Sequence, residues 1–105
     1  MLYLTQNTNI LLAIKPVDFR RQIDGLIALC KQTLLEEPHS GQLFVFINRP
    51  HTMIRVLCYD QGGYWLATKR LSQGRYRLWP SEAQKVSQPM LASDLIKILK
   101  NIVAS

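Results

Sequence analysis

Leu43-Phe44-Val45-Phe46-Ile47, followed by Asn48-Arg49-Pro50-His51 and by Met53 to Tyr59, is the stretch that decides the fold. The first five residues are apolar at both odd and even positions and rich in aromatic and β-branched side chains. Such a run fits a strand covered on both faces, in the middle of a sheet. Asn48 to His51 reads as a turn and Met53 to Tyr59 as a second strand. Asp60-Gln61-Gly62-Gly63 carries the residues of a tight hairpin, so Tyr64 to Leu71 becomes a third strand. Ser72-Gln73-Gly74 turns the chain again into Arg75-Tyr76-Arg77-Leu78-Trp79, a fourth strand closed by Pro80. The local pattern predicts a four-stranded antiparallel meander.

Outward from this core, residues 9 to 14 form a short apolar run stopped by Lys15-Pro16, which predicts one more strand. Phe19, Ile23, Leu26, Ile27, Cys30 and Leu34 then repeat at helical spacing behind Asp18, which stands where an N-cap would. This predicts a helix from about 18 to 36. At the other end Leu91, Leu95, Ile98, Leu99 and Ile102 repeat the same stripe and predict a closing helix. With no internal repeat, low-complexity tract or linker, residues 1–105 read as a single α+β domain, with a helix before the meander and a helix after it.

The 105 residues limit the chain to one domain. No apolar run exceeds five residues, far below the ~20 that a membrane-spanning helix needs. The N-terminus lacks the pattern of a secretory signal, so a cytoplasmic location is expected. Cys30 and Cys58 stand alone without C-x-x-C spacing, which fits buried reduced thiols. Thirteen Lys and Arg against seven Asp and Glu leave a net charge of +6. The excess is uneven: Arg49, Arg55, Lys69, Arg70, Arg75 and Arg77 fall in a stretch whose sole acid is Asp60. A polyanion is the partner such a stretch suits, and these six residues are the candidate nucleic-acid contacts.

Catalysis finds little support in the inventory of reactive groups. His39 and His51 match no metal or triad spacing; Asp18, Asp60 and Glu82 are widely spaced acids, of which Asp18 and Asp60 have ready structural uses in a cap and a turn. No catalytic residue, metal or cofactor is expected. Arg20 and Arg21 fall in the first turn of the expected helix, where the macrodipole disfavours cations. They must either pair with Asp18 or Asp24 or face a phosphate or a partner carboxylate. A hairpin over residues 64 to 79 would set Lys69 or Arg70 opposite Arg77 in either turn register. Like charges across a ladder repel, and in one register Trp65 and Trp79 share a face with Arg75 and Arg77 as a stacking surface for nucleic acid.

Several segments resemble the accessory TnpB protein, the second open reading frame, of the insertion-sequence-sixty-six type of bacterial transposon. They are Pro16-Val17-Asp18-Phe19-Arg20-Arg21 with Asp24-Gly25-Leu26, Ser40 to Phe46, Asp60 to Tyr64, Lys69-Arg70-Leu71, Gly74-Arg75 and Trp79-Pro80. The resemblance implies a non-catalytic role in transposition, a DNA recombination process, beside a separate transposase and other transposon-encoded proteins. It marks Asp18, Arg20, Arg21, Asp24, Lys69, Arg70 and Arg75 as functional candidates. Two readings follow: a DNA-binding accessory protein acting through a basic hairpin, or an adaptor that bridges transposase subunits through Asp18, Arg20, Arg21 and Asp24 without touching DNA. No membrane partner is expected, and the oligomeric state, a homo-oligomer included, is left open.

Overall fold

The computed structural model describes residues 4–82 and 84–104. Strands β1 (Ile10–Ala13), β2 (Leu43–Ile47), β3 (Met53–Asp60), β4 (Gly63–Arg70) and β6 (Ser87–Met90) form one mixed sheet in the order β4-β3-β2-β1-β6. Helix α1 (Ile23–Gln32) connects β1 to β2, which pair in parallel with Leu11 beside Phe44. A parallel pair needs such a crossover, whereas β2, β3 and β4 follow one another by short antiparallel turns. Helix α2 (Ala92–Lys100) follows β6, and β5 (Arg75–Tyr76) pairs with β7 (Ile102–Val103) as a separate two-stranded ribbon.

The helices cover opposite faces of the sheet. Leu11, Ala13, Phe44, Phe46 and Leu57 meet Leu26, Cys30 and Leu34 on the α1 side. Ile10, Leu12, Val45, Ile47 and Ile54 meet Leu95 and Ile98 on the α2 side. Every residue of β2 is buried, which its two-faced apolar pattern predicts for the central strand of three layers. Cys30 and Cys58 are free and buried, and desolvation pushes the Cys30 thiol up to about 12.

The meander has three strands rather than four. Arg75 and Tyr76 pair with Val103 and Ile102, not with β4. Burial explains the departure. Tyr76 is 1% exposed on the α2 side, and Trp79 packs beside it with its indole N–H donating to the Ile14 carbonyl at 3.1 Å. A fourth strand on the sheet edge would leave half of each ring in water. Gly74, at φ +77°, turns the chain away from β4; a Cβ there would clash with the Val103 carbonyl oxygen.

Three smaller differences have equally local causes. The first helix begins at Ile23, not at 18, because Asp18 closes a turn: its carboxylate accepts the Arg20 N–H at 2.9 Å and its carbonyl the Arg21 N–H at 3.1 Å. It ends at Gln32, and Leu35 at φ 56° lies in the left-handed region, where the helix cannot continue. The polar stretch before the last helix contains β6, an edge strand that tolerates Pro89. Ile102, read above as the last residue of the helical stripe, belongs to β7.

Candidate nucleic-acid interface

Strand directions sort the charges. β1 and β2 are parallel, and β4 runs with β2 because each is antiparallel to β3. Their C-terminal ends therefore share one end of the sheet. Lys15, Arg20 and Arg21 follow β1, Arg49 follows β2, and Lys69 and Arg70 close β4. The β5–β7 ribbon docks at the same place, with the Tyr76 N–H donating to the His51 carbonyl at 2.8 Å. This contact brings Arg75 and Arg77 to Arg49. The three arginines line a cleft of about 440 Å³ with Pro50, His51, Tyr76 and Val103.

Asn48 builds the turn that carries Arg49. Although polar, it is 8% exposed; its side-chain oxygen accepts the Thr52 and Met53 N–H groups at 2.8 and 3.0 Å, and its amide donates to the Thr52 hydroxyl at 2.9 Å. With its polar atoms satisfied, Asn48 holds the turn against the positive φ of His51 (60°) and leaves Arg49 exposed beside the cleft. An Asn just after an apolar strand was the available sequence signal for this positioning role.

The candidate basic residues do different work. Arg49 and Arg75 are exposed and, among the described residues, have no carboxylate partner; Arg77 donates to the Asn101 side chain at 3.2 Å. Arg55 is held inside the fold. Its guanidinium donates to the Phe19 and Arg21 carbonyls at 2.8 Å each and to the Thr68 hydroxyl at 3.1 Å, and lies 4.6 Å from the Phe19 ring centroid. It ties the segment before α1 to β3 and β4.

Arg20 forms an exposed pair with Asp18 at 2.7 Å, and the hydrogen bonds from its side chain and backbone hold the Asp18 carboxyl down at about 2. Arg21 reaches the Gly25 carbonyl at 3.4 Å, and Asp24 is exposed in the first turn of α1. Because the helix starts at Ile23, neither arginine lies in its first turn and the expected dipole penalty does not arise. Val17, Asp18, Phe19, Arg20, Arg55 and Met53 border a second cleft of about 440 Å³, which meets the first at Arg49 and Pro50.

The basic hairpin of residues 64 to 79 does not form. Lys69 and Arg70 stand opposite Ile54 and Met53, so neither faces Arg77 across a ladder. The tryptophans are also separated: Trp79 is core, while Trp65 is 49% exposed and donates its indole N–H to Asp60 at 2.9 Å. The acids considered for metal chemistry are dispersed. Asp18 pairs with Arg20, Asp60 accepts from Trp65, and Glu82 lies 3.6 Å from Lys85. Among the described residues no three His, Cys, Asp or Glu side chains are placed to hold a metal ion.

Fold and site together define a small three-layer α+β domain with one electropositive end. The chain belongs to the IS66 Orf2-like family, whose family model matches residues 8–103. It is similar to two uncharacterized proteins of Sinorhizobium fredii. One, y4jC, is 38% identical over 72 residues, which is 69% of this chain and 62% of that protein. The other, y4hO, is 36% identical over 76 residues, 72% of this chain and 65% of that protein. The chain thus spans less than two thirds of the length of either relative. No solved structure matches it significantly. Among the described residues no helix is long and apolar enough to cross a membrane.

Proposed function

We propose that this protein is a non-catalytic accessory subunit of DNA transposition, acting in the bacterial cytoplasm beside a separate transposase and binding DNA through the electropositive end of its sheet. The observation that carries the reading is the cleft where Arg49, Arg75 and Arg77 meet without a carboxylate partner among the described residues. Guanidinium groups grouped in this way suit successive backbone phosphates, which position a protein on DNA without reading its sequence. Arg55 is left out of the interface because its Nη1 donors already serve two backbone carbonyls and its Nε the Thr68 hydroxyl. The family membership supports the transposition context.

The test is a gel shift with transposon-end and scrambled DNA at two salt concentrations. Binding should weaken steeply with salt, the logarithm of affinity falling by roughly 0.9 per phosphate contact for each unit of log salt. It should differ little between the two DNAs. No retention at low salt would reject the DNA-binding reading and favour the adaptor, which a pull-down with the transposase detects.

A further inference from the structure

The two edges of the main sheet are unlike. At one edge β6 has four residues, one of them Pro89. At the other, β4 runs eight residues from Gly63 to Arg70, contains no proline and, among the described residues, pairs with β3 alone. Natural edges of that length are normally covered or blunted, because their free N–H and C=O groups template pairing with another strand.

The turn before β4 decides which groups are free. Gln61 and Gly62, at φ 46° and 87°, form a two-residue hairpin turn, so Asp60 and Gly63 are a hydrogen-bonded pair. Gly63, Trp65, Ala67 and Lys69 then exchange bonds with β3, and the Leu71 N–H bond to the Thr52 carbonyl at 2.9 Å keeps that alternation. The backbone groups of Tyr64, Leu66, Thr68 and Arg70 face outward.

We propose that this edge is a homodimer interface: β4 of a second copy of this chain pairs with it antiparallel, about a twofold axis at Ala67. Outward-facing residues must meet outward-facing residues, so only every second register is available. With the axis at Ala67, Tyr64 stands opposite the partner's Arg70, Leu66 opposite the partner's Thr68 and Trp65 opposite the partner's Lys69. The strand is complementary to itself in this register. Its first half carries the aromatic rings, with Trp65 donating its indole N–H to the Asp60 carboxylate of β3 at 2.9 Å; its second half carries two cations that have no carboxylate partner among the described residues. Each cation meets a ring, twice over by symmetry.

Neighbouring registers do worse. An axis at Leu66 sets Lys69 against the partner's Gly63, and an axis at Thr68 makes the two lysines diagonal neighbours. An axis at Ala67 places only two methyl groups at the point of closest approach. The pairing joins the two five-stranded sheets into one, and it does not rest on DNA binding.

The experiment is sedimentation equilibrium of the full chain without DNA across low to high micromolar concentration. A reversible dimer is expected. Ala67 is exposed, so Ala67→Lys should leave the melting temperature unchanged at concentrations where the protein is monomeric while raising the dimer dissociation constant about tenfold or more, since it places like charges on the axis. Ala67→Cys should close a disulfide between copies under oxidised glutathione, both native thiols being buried, whereas Thr68→Cys, opposite the partner's Leu66, should not. A monomer at every concentration overturns the proposal. A dimer indifferent to Ala67→Lys, or Thr68→Cys linking as readily as Ala67→Cys, overturns it as well.

Discussion

At one end of the sheet Arg49, Arg75 and Arg77 surround a cleft and, among the described residues, meet no carboxylate; at the other end the acids Glu36, Glu37, Asp60 and Asp94 are all engaged locally. Glu36 accepts from the Gln42 amide at 3.0 Å, Glu37 from the His39 N–H at 3.0 Å, Asp60 from the Trp65 indole at 2.9 Å and Asp94 from the Leu91 N–H at 3.2 Å. The far end also holds a surface cleft of about 620 Å³, bordered by residues 6–11, Glu36, Ser40, Gln42 and residues 89–91. The difference teaches that these carboxylates serve caps and turns and do not neutralise the arginines. At the basic end Asp18 is taken up by Arg20 and Glu82 by Lys85, so Arg49, Arg75 and Arg77 keep a net positive field there and a polyanion approaching the molecule meets one attractive end.

The largest effect should come from that end. Replacing Arg49, Arg75 and Arg77 together by Gln should lower DNA affinity on the order of a hundredfold at ~0.1 M salt and shrink the salt slope by up to about 2.7. Gln keeps length and polarity, and none of the three arginines holds a ladder by its side chain. Lys31→Gln, at the far end of α1, should change neither quantity in the same titration. Equal losses from Lys31→Gln would show that total charge, rather than its placement, drives binding.

The basic end can be divided further, because two of its arginines do opposite work. Arg55→Ala leaves the Phe19 and Arg21 carbonyls without their donor and should cost about 1 to 3 kcal/mol. Thermal unfolding should register this as a drop of several degrees, at roughly 4 to 8 °C per kcal/mol for a domain of this size. Arg49→Ala should stay within about 0.5 kcal/mol of the parent. Comparable melting of the two variants would remove the distinction between clamp and interface.

Gly74→Ala tests how the cleft is assembled. At φ +77° and with its Cβ driven against the Val103 carbonyl oxygen, alanine should destabilise by more than about 1 kcal/mol. It should loosen the β5–β7 ribbon first, seen as faster hydrogen exchange at the Tyr76 amide, and weaken DNA binding by displacing Arg75 and Arg77. Unchanged exchange would mean that the ribbon does not depend on this turn.

The smallest effect concerns Asp18. Hydrogen bonds from Arg20 lower its folded-state pKa from 3.8 to about 2, so the native form binds its proton less readily than the unfolded chain. The stabilisation is complete above about 4 and is lost as pH falls toward 2. Both partners are exposed, so the contribution is slight. Asp18→Asn should lower stability slightly above about pH 4 and converge with the parent as pH falls toward 2, flattening this part of an acid-unfolding curve. An identical acid limb in the variant would deny the pair any role in the fold.

Much of the fold was legible locally. The doubly apolar Leu43 to Ile47 marked the central strand, the Gln61-Gly62 turn marked the β3–β4 hairpin, and the spacing of Ile23, Leu26, Ile27 and Cys30 marked a helix face, because burial and turn geometry act over a few residues. The family motifs between Pro16 and Pro80 were equally readable, and the match extends over residues 8–103. The basic residues were visible as a cluster in sequence. Their division was not: Arg55 differs from Arg49 only by the carbonyls brought to it from residues 19 and 21.

Sequence alone determined which side chains of an element leave water, since an apolar stripe records that side, but not which face of the sheet each helix covers. Only the tertiary structure decided the partners. Arg75-Tyr76 has the alternation of a strand wherever it lies, and the two available ladders, on β4 or on β7, offer similar backbone hydrogen bonds. Placing Tyr76 and Trp79 against Ile10, Leu12 and Ile98 selects β7, and with it the meeting of Arg75 and Arg77 with Arg49. That choice depends on residues some sixty positions away in the chain, beyond the range of any local pattern.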